Sequence, residues 1–151
     1  MGLALFGPVA VSVIAQGTDG GTSQTRSIGK GTSAMKIRLT VKGKTMTARL
    51  DDTPTARDFL SLLPMTLTLE DYAATEKISY LQRKLSTAGA PAGTDPSIGD
   101  ITYYAPWGNL AIFYKDFGYA SGLIRLGRID SGIEALSVPG KLKVTIEPGE
   151  K

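Results

Sequence analysis

The stretch from Gly99 to Tyr114 constrains the fold most strongly, because it joins two strand-like segments through a tight break. Ile101 to Tyr104 is β-branched and aromatic, and Leu110 to Tyr114 is a nearly continuous apolar run. Between them stand residues that favour turns: Pro106, Gly108 and Asn109. This pattern predicts a β-hairpin. The hairpin holds the only Trp and three of the six Tyr, so we expect it to build the core, a binding surface, or both.

A similar alternation of apolar and polar residues recurs elsewhere in the chain. It runs through Met35–Gly43 and Lys44–Leu50, which predicts a first hairpin with one buried face. A helix is predicted to begin at Thr53 and Pro54, since a hydroxyl at the N-cap and proline in the first turn favour helix initiation. Pro64 is predicted to end this helix.

Four later segments are also predicted strands: Met65–Glu70, Ile78–Leu81, Leu123–Ile129 and Lys141–Ile146. The polar segments between them are predicted loops, among them residues 71–77, 86–97 and 115–121, and a short helix is predicted within residues 130–136. A chain of roughly eight short strands with one or two short helices predicts a mainly β fold, closed into a barrel, because closure removes exposed strand edges.

The first part of the chain has a different composition. Residues 2–15 are apolar and uncharged, and Val13 and Ala15 precede a plausible signal-peptide cleavage site, which predicts an exported or periplasmic protein. The alternative is a cytoplasmic protein whose translation starts at Met35. Residues 16–34 are rich in Gly, Ser and Thr and predict a flexible tether. We therefore expect a possible signal remnant and tether over residues 1–34 and one domain over residues 35–151.

The composition excludes several classes of chemistry. The sequence has no Cys, which excludes disulfides and thiolate chemistry, and no His, which removes the usual neutral-pH acid–base group and the commonest metal ligand. We expect no cofactor and no metal site. The net charge is only +3, from 17 basic and 14 acidic residues, and this balance argues against nucleic acid as the main partner. No apolar run reaches the length of about 20 residues that a membrane span needs.

The domain from Met35 onward resembles the bacterial cyclophilin-like proteins, a group distinct from the true cyclophilins. The matching segments are FLSLLPMTLTLEDY (59–72), EKISYLQRKL (76–85), GDITYYAPWGNLAIFYKDFGY (99–119) and GLIRLGRIDSGIEAL (122–136). The resemblance implies a cyclophilin-type barrel of about eight strands with flanking helices. It implies little about activity, because members of this group are generally described by fold alone.

The catalytic signature of true cyclophilins is missing. Those enzymes isomerise X–Pro bonds with a Phe-His-Arg cluster, a Gln-x-Gly-Asp segment, and a Trp and a His that line the proline pocket. This chain has no His and no such cluster. Gly99-Asp100 matches only the last two residues of the Gln-x-Gly-Asp segment. No catalytic residue is therefore carried over from the resemblance.

Clustered aromatic residues without catalytic side chains favour a non-catalytic binding module for a peptide or small molecule. Tyr103 and Tyr104 are neighbours on a strand and so are Phe113 and Tyr114, so only one of each pair can face the core. The expected ligand-binding residues are Arg83, Tyr104, Trp107, Phe113, Tyr114, Tyr119 and Arg125. The alternatives are that the rings fill the barrel interior, and that Trp107 is a lid over one end of the barrel.

A divergent prolyl isomerase is the alternative function. Such an enzyme needs an apolar socket for proline and a donor aimed at the twisted amide. Phe113, Trp107, Met65 and Leu110 are candidates for the socket, and Arg83, Arg125 and Arg128 are candidates for the donor.

Two other patterns partly resemble known kinds of site. Glu70, Asp71 and Glu76 form an acidic group that suggests a paired-carboxylate or hard-metal site, but its spacing favours a solvated turn. Gly29-Lys30 resembles part of a phosphate-binding loop, but Gly31 stands where that loop requires Ser or Thr.

Overall fold

A computed structural model describes residues 35–150 of the chain. The predicted signal remnant and tether, residues 1–34, lie outside the described residues. Ten strands are described: β1 (Met35–Val41), β2 (Lys44–Leu50), β3 (Met65–Tyr72), β4 (Glu76–Tyr80), β5 (Gly93–Thr94), β6 (Asp100–Tyr104), β7 (Asn109–Phe113), β8 (Ala120–Ser121), β9 (Leu123–Ile129) and β10 (Leu142–Pro148). Helix α1 spans Pro54–Leu60, and a short 3-10 helix spans Ile133–Leu136. No helix of the described part is long and apolar enough to cross a membrane.

Eight of the strands close into an antiparallel barrel in the order β1-β10-β3-β4-β7-β6-β9-β2. The predicted fold class, a mainly β closed barrel of about eight strands, is confirmed. Alternation accounts for it, since every second side chain of a strand faces the interior. The core is built from these positions, for example Ile37, Leu39, Val41, Met46, Ala48, Leu50, Leu126, Leu142, Val144 and Ile146.

Helix α1 covers one end of this core. The hydroxyl of Thr53 accepts a hydrogen bond from the backbone N–H of Ala56 at 3.2 Å, and proline occupies the first turn, as predicted. Phe59 is fully buried and joins the barrel core. The helix ends at Leu60, before Pro64, because Ser61 already caps its last turn.

The hairpin of β3 and β4 differs from the prediction of a loop over residues 71–77. The two strands extend further than predicted and leave only a three-residue turn between them. Ala73 and Ala74 both adopt a φ of 53°, a left-handed conformation that non-glycine residues rarely take. Alanine gives little local signal for such a turn, so the sequence pattern missed it. The result is that Tyr72 and Glu76 become direct cross-strand partners.

The central hairpin forms β6 and β7, and its two faces are used differently. Tyr103 points into the barrel core, and Tyr104 belongs to a second apolar cluster formed around Ala111, Phe113 and Leu123. This cluster lies on the outer face of the barrel wall, because its members alternate with core residues along the same strands.

Candidate functional site

The second apolar cluster forms the floor of a pocket of about 420 Å³ on the outer wall of the barrel. We refer to it as the aromatic pocket. Its lining comes from strands β3, β4, β6, β7, β8 and β9 and from the segments that follow β3, β6 and β7. The lining residues are Tyr72, Ala73, Glu76, Ile78, Tyr104, Trp107, Asn109, Phe113, Phe117, Ala120, Ser121 and Leu123. Its volume falls in the range of about 300–1,000 Å³ that is usual for small-molecule sites.

The strand register explains why these residues meet. Glu76 lies opposite Phe113, and Asn109 lies opposite Tyr104 on the other neighbouring strand. Because Glu76 and Asn109 stand at opposite ends of the β4–β7 ladder, about 13 Å separates their backbone positions. The aromatic pocket is therefore elongated along the strands, with one polar side chain near each end.

Trp107 connects the two ends of the aromatic pocket. It lies in the β6–β7 turn, where Gly108 takes the positive φ of 74° that the turn requires. Its ring centroid lies 5.6 Å from that of Tyr72 and 5.4 Å from that of Tyr104, and both pairs are nearly perpendicular. Edge-to-face contacts of this kind hold the indole in place. The side chain nevertheless remains 47% exposed, so Trp107 can contact a ligand.

Glu76 is the ionisable carboxyl of the aromatic pocket. Burial raises its pKa from an ordinary value near 4.5 to about 7, because the ionised form loses water. Within residues 35–150 no side chain forms an ion pair with Glu76. Its charge therefore changes near neutral pH.

The structure brings together three of the residues predicted to bind ligand: Tyr104, Trp107 and Phe113 all line the aromatic pocket. The two predicted arginines lie elsewhere. Arg83 forms a two-pronged ion pair with Asp58, at 2.8 and 2.9 Å. Its guanidinium also draws the pKa of Asp58 down to about 2.

Arg125 pairs with Asp51 at 3.3 Å, beside a different cavity that is bordered by α1 and the loop before β5. Tyr119 is exposed, and its hydroxyl lies close over Gly93 of the small β5–β8 ladder. Neither side chain lines the aromatic pocket.

Tyr114 follows β7 and belongs to a different set of contacts. Its hydroxyl donates a hydrogen bond to Asp71 at 2.9 Å. Burial and this bond together raise the pKa of Tyr114 to about 12. The candidate socket residues Met65 and Leu110 lie in the barrel core and not in the aromatic pocket.

Nine of the twelve lining residues were absent from the predicted set, among them Tyr72, Glu76 and Phe117. Tyr72 and Glu76 fell in a predicted loop, so their cross-strand pairing was not foreseen. The aromatic residue Tyr72, of a type enriched in strands, was the available signal that β3 runs beyond Glu70. Phe117 packs on Phe113 with ring centroids 6.2 Å apart.

The acidic group considered as a metal site is separated in the structure. Glu70 pairs with Lys141 at 3.1 Å, and Asp71 pairs with Lys77 at 2.9 Å. Among the described residues, no group of three or more potential metal-ligating side chains comes together.

A comparison with known protein families gives the same result as the fold. A family model described as the cyclophilin-like family matches residues 39–147, which is most of the barrel. The chain belongs to the cyclophilin-like family. The resemblance noted from its sequence motifs is therefore confirmed. No curated protein matches the sequence significantly.

The cyclophilin-like barrel is also similar to a solved structure. A hypothetical protein from Archaeoglobus fulgidus, determined in solution, matches with a TM-score of 0.60 and 20% sequence identity. The match covers 80% of this chain and 99% of the archaeal one. At this identity the similarity shows a shared fold and nothing about a shared ligand.

Proposed function

We propose that this cyclophilin-like domain is a binding module that holds a peptide or small molecule in the aromatic pocket. The observation that carries the proposal is the pocket itself: a cavity of about 420 Å³, floored by apolar side chains and walled by rings. Concave, largely apolar sites with a few polar groups are the usual form of ligand sites. The exposed part of Trp107 supports the same conclusion, since exposed aromatic side chains are common anchors in binding surfaces.

The polar groups of the aromatic pocket favour binding over prolyl isomerisation. An isomerase requires a donor aimed at the twisted amide, and a guanidinium is the usual one. No arginine is among the described residues that line this pocket. The three candidate donors, Arg83, Arg125 and Arg128, are each paired with a carboxylate outside it.

The fluorescence of Trp107 offers a direct test, because it is the only Trp of the chain. The domain is titrated with proline-containing peptides and with small apolar molecules, and we expect a saturable change with some of them. Tyr104→Ala is expected to weaken that binding. Tyr80→Ala is the matched control, because Tyr80 is an exposed ring on β4 that does not line the pocket.

A second variant keeps the test decisive if Tyr104→Ala unfolds. Ser121 lies at the exposed rim of the aromatic pocket, so Ser121→Phe is expected to fill it without removing a core contact. Saturable binding that survives both Tyr104→Ala and Ser121→Phe would place the ligand elsewhere and refute the proposal. A coupled prolyl isomerase assay is expected to show no acceleration, and acceleration abolished by Arg83→Ala or Arg125→Ala would favour an isomerase.

A further inference from the structure

The polar side chains at the two ends of the aromatic pocket are both hydrogen-bond acceptors. At one end stands the carboxyl of Glu76. At the other, the Asn109 side chain donates through Nδ2 to the carbonyl of Leu110, and its Oδ1 is buried without a partner in the described structure. Buried polar atoms nearly always have a hydrogen-bond partner, so an unpaired one in a pocket points to a ligand that supplies a donor.

No basic side chain in the described part of the chain forms an ion pair with Glu76. Its cross-strand neighbours on the same face are the rings of Tyr72 and Phe113. The nearby titratable groups are Tyr72, on β3, and Tyr114, beyond the end of β7, which does not donate to it. Asp71 and Lys77 are adjacent in the hairpin but pair with each other.

The aromatic rings favour a positively charged ligand. Trp107 stands nearly perpendicular to both Tyr72 and Tyr104, so the three rings present walls in different orientations around one space. The faces of aromatic rings carry negative electrostatic potential and attract organic cations, Trp most strongly. A carboxylate beside such rings adds a direct charge–charge attraction.

We propose that the aromatic pocket binds an organic amine in its cationic form, with the charged nitrogen beside Glu76 and the apolar body along Trp107. This inference rests on the proposed function, because it specifies the ligand of the same pocket. Asn109 then accepts a hydrogen bond from a second donor at the far end of the ligand. Anionic ligands are disfavoured, because both polar ends present oxygen acceptors.

The test compares three probes that share one apolar body: hexylamine, hexanol and hexanoate. Binding is followed by the fluorescence of Trp107 and by calorimetry at about pH 8, where Glu76 is ionised and the amine is charged. We expect hexylamine to bind on the order of tenfold more tightly than hexanol, and hexanoate to bind most weakly. At about pH 5.5, where Glu76 is protonated, we expect the preference for hexylamine to shrink to a fewfold.

Two variants identify the carboxyl responsible. Glu76→Gln is expected to weaken hexylamine binding by on the order of tenfold and to leave hexanol binding unchanged. Glu70→Gln removes the same charge from the neighbouring strand at an exposed position outside the pocket, so it is expected to change neither affinity.

The outcomes separate the two proposals. If hexanol binds as tightly as hexylamine, or Glu70→Gln weakens hexylamine as much as Glu76→Gln does, the amine inference is refuted and the binding module stands. If none of the probes and none of the peptides of the previous section binds, the proposed function itself is refuted.

Discussion

The two cross-strand pairs nearest the turn of the β3–β4 hairpin each contain one acid, and the two acids differ in ion pairing and in the direction of their pKa shifts. Asp71 lies opposite Lys77, and Tyr72 lies opposite Glu76. Lys77 is completely buried, and its ammonium donates to Asp71 at 2.9 Å and to the carbonyls of Val138 at 2.7 Å and Gly140 at 2.6 Å. An ammonium has three protons, and each has an acceptor here.

Asp71, the ion-pair partner of Lys77, also has several hydrogen-bond donors. Asp71 also accepts from the backbone N–H of Gly140 at 2.8 Å and from Tyr114. These contacts, Lys77 first, lower the pKa of Asp71. We call Lys77, Asp71, Tyr114 and the main chain of Val138 and Gly140 the Lys77 network.

Glu76, one residue before Lys77, is partly buried and forms no ion pair within residues 35–150. Its pKa is therefore raised, whereas that of Asp71 is lowered. Neighbouring acids in one hairpin can therefore have different roles, one in stability and one in binding. A carboxylate whose bonds are all satisfied within the chain stabilises the fold and has little capacity left for a ligand. A carboxyl left unpaired in a pocket costs stability and is available for binding.

The largest effect is expected from breaking the Lys77 network. Lys77→Met keeps much of the side-chain volume but removes the buried ammonium that donates to Asp71 and to the carbonyls of Val138 and Gly140. Losing these charge-assisted hydrogen bonds is expected to cost about 3 kcal/mol. Urea unfolding should show this loss in the free energy of unfolding.

Lys143→Met is the control for that measurement. Lys143 is an exposed lysine on β10, so its replacement is expected to change stability by less than about 0.5 kcal/mol. If Lys77→Met were as stable as Lys143→Met, the claim that this network holds the hairpin would be wrong.

Replacement of Glu76 is expected to change the free energy of unfolding in the opposite direction. Its pKa is higher in the folded protein, so its favourable contribution is complete below about pH 4.5 and is lost as the pH rises through about 7. Above that pH the ionised carboxylate opposes folding. Glu76→Gln, which stays neutral, is therefore expected to stabilise the domain at pH 8 by about 2 kcal/mol, a value reduced for the partial exposure of Glu76, and to have little effect below pH 4.5.

Thermal unfolding across this pH range checks the prediction, with Glu70→Gln as control because that carboxylate is exposed and paired with Lys141. Equal stability of Glu76→Gln and the wild type at pH 8 would mean that Glu76 is solvated, and it would remove the basis of the comparison.

Strand alternation was sufficient to predict most of the strands, because it depends only on local residue order. Met46, Ala48 and Leu50, for example, are all buried on one face of β2 as their spacing predicts. The capping of α1 by Thr53 was predictable for the same reason. Closure into a barrel was predicted from the number of short strands and from the family resemblance.

The arrangement of the candidate site depended on contacts that the sequence does not encode locally. The left-handed turn at Ala73 and Ala74 sets Tyr72 opposite Glu76, and alanine does not signal it. Arg83 is 25 residues from Asp58, so its ion pair follows from the fold and not from spacing.

A smaller effect is expected at Arg83, which tests a paired carboxylate on another part of the surface. Arg83→Gln removes the two-pronged ion pair to Asp58 and is expected to lower stability modestly at pH 7, because the guanidinium is exposed to solvent. The pKa of Asp58 is lowered in the folded protein, so its stabilisation is present above about pH 4 and is lost as the pH falls towards 2.

The stability difference between Arg83→Gln and the wild type should therefore shrink as acid is added. Arg57→Gln removes a more exposed ion pair, with Asp52, and is expected to cost less than about 0.5 kcal/mol. A constant difference across the acid range would show that Arg83 acts through packing and not through its charge.

The smallest effect is expected at Tyr114. A variant of this residue tests whether its ring belongs to the Lys77 network or to the aromatic pocket. Tyr114→Phe removes one of three donors to Asp71 and leaves the ring in place, so it should cost about 1 kcal/mol or less. Tyr80→Phe, at an exposed hydroxyl, should cost almost nothing. Chemical unfolding measures both, and hexylamine titration measures binding in the same samples. A stability loss with unchanged binding assigns Tyr114 to the Lys77 network, whereas weakened binding with unchanged stability would return it to the ligand site that its sequence position first suggested.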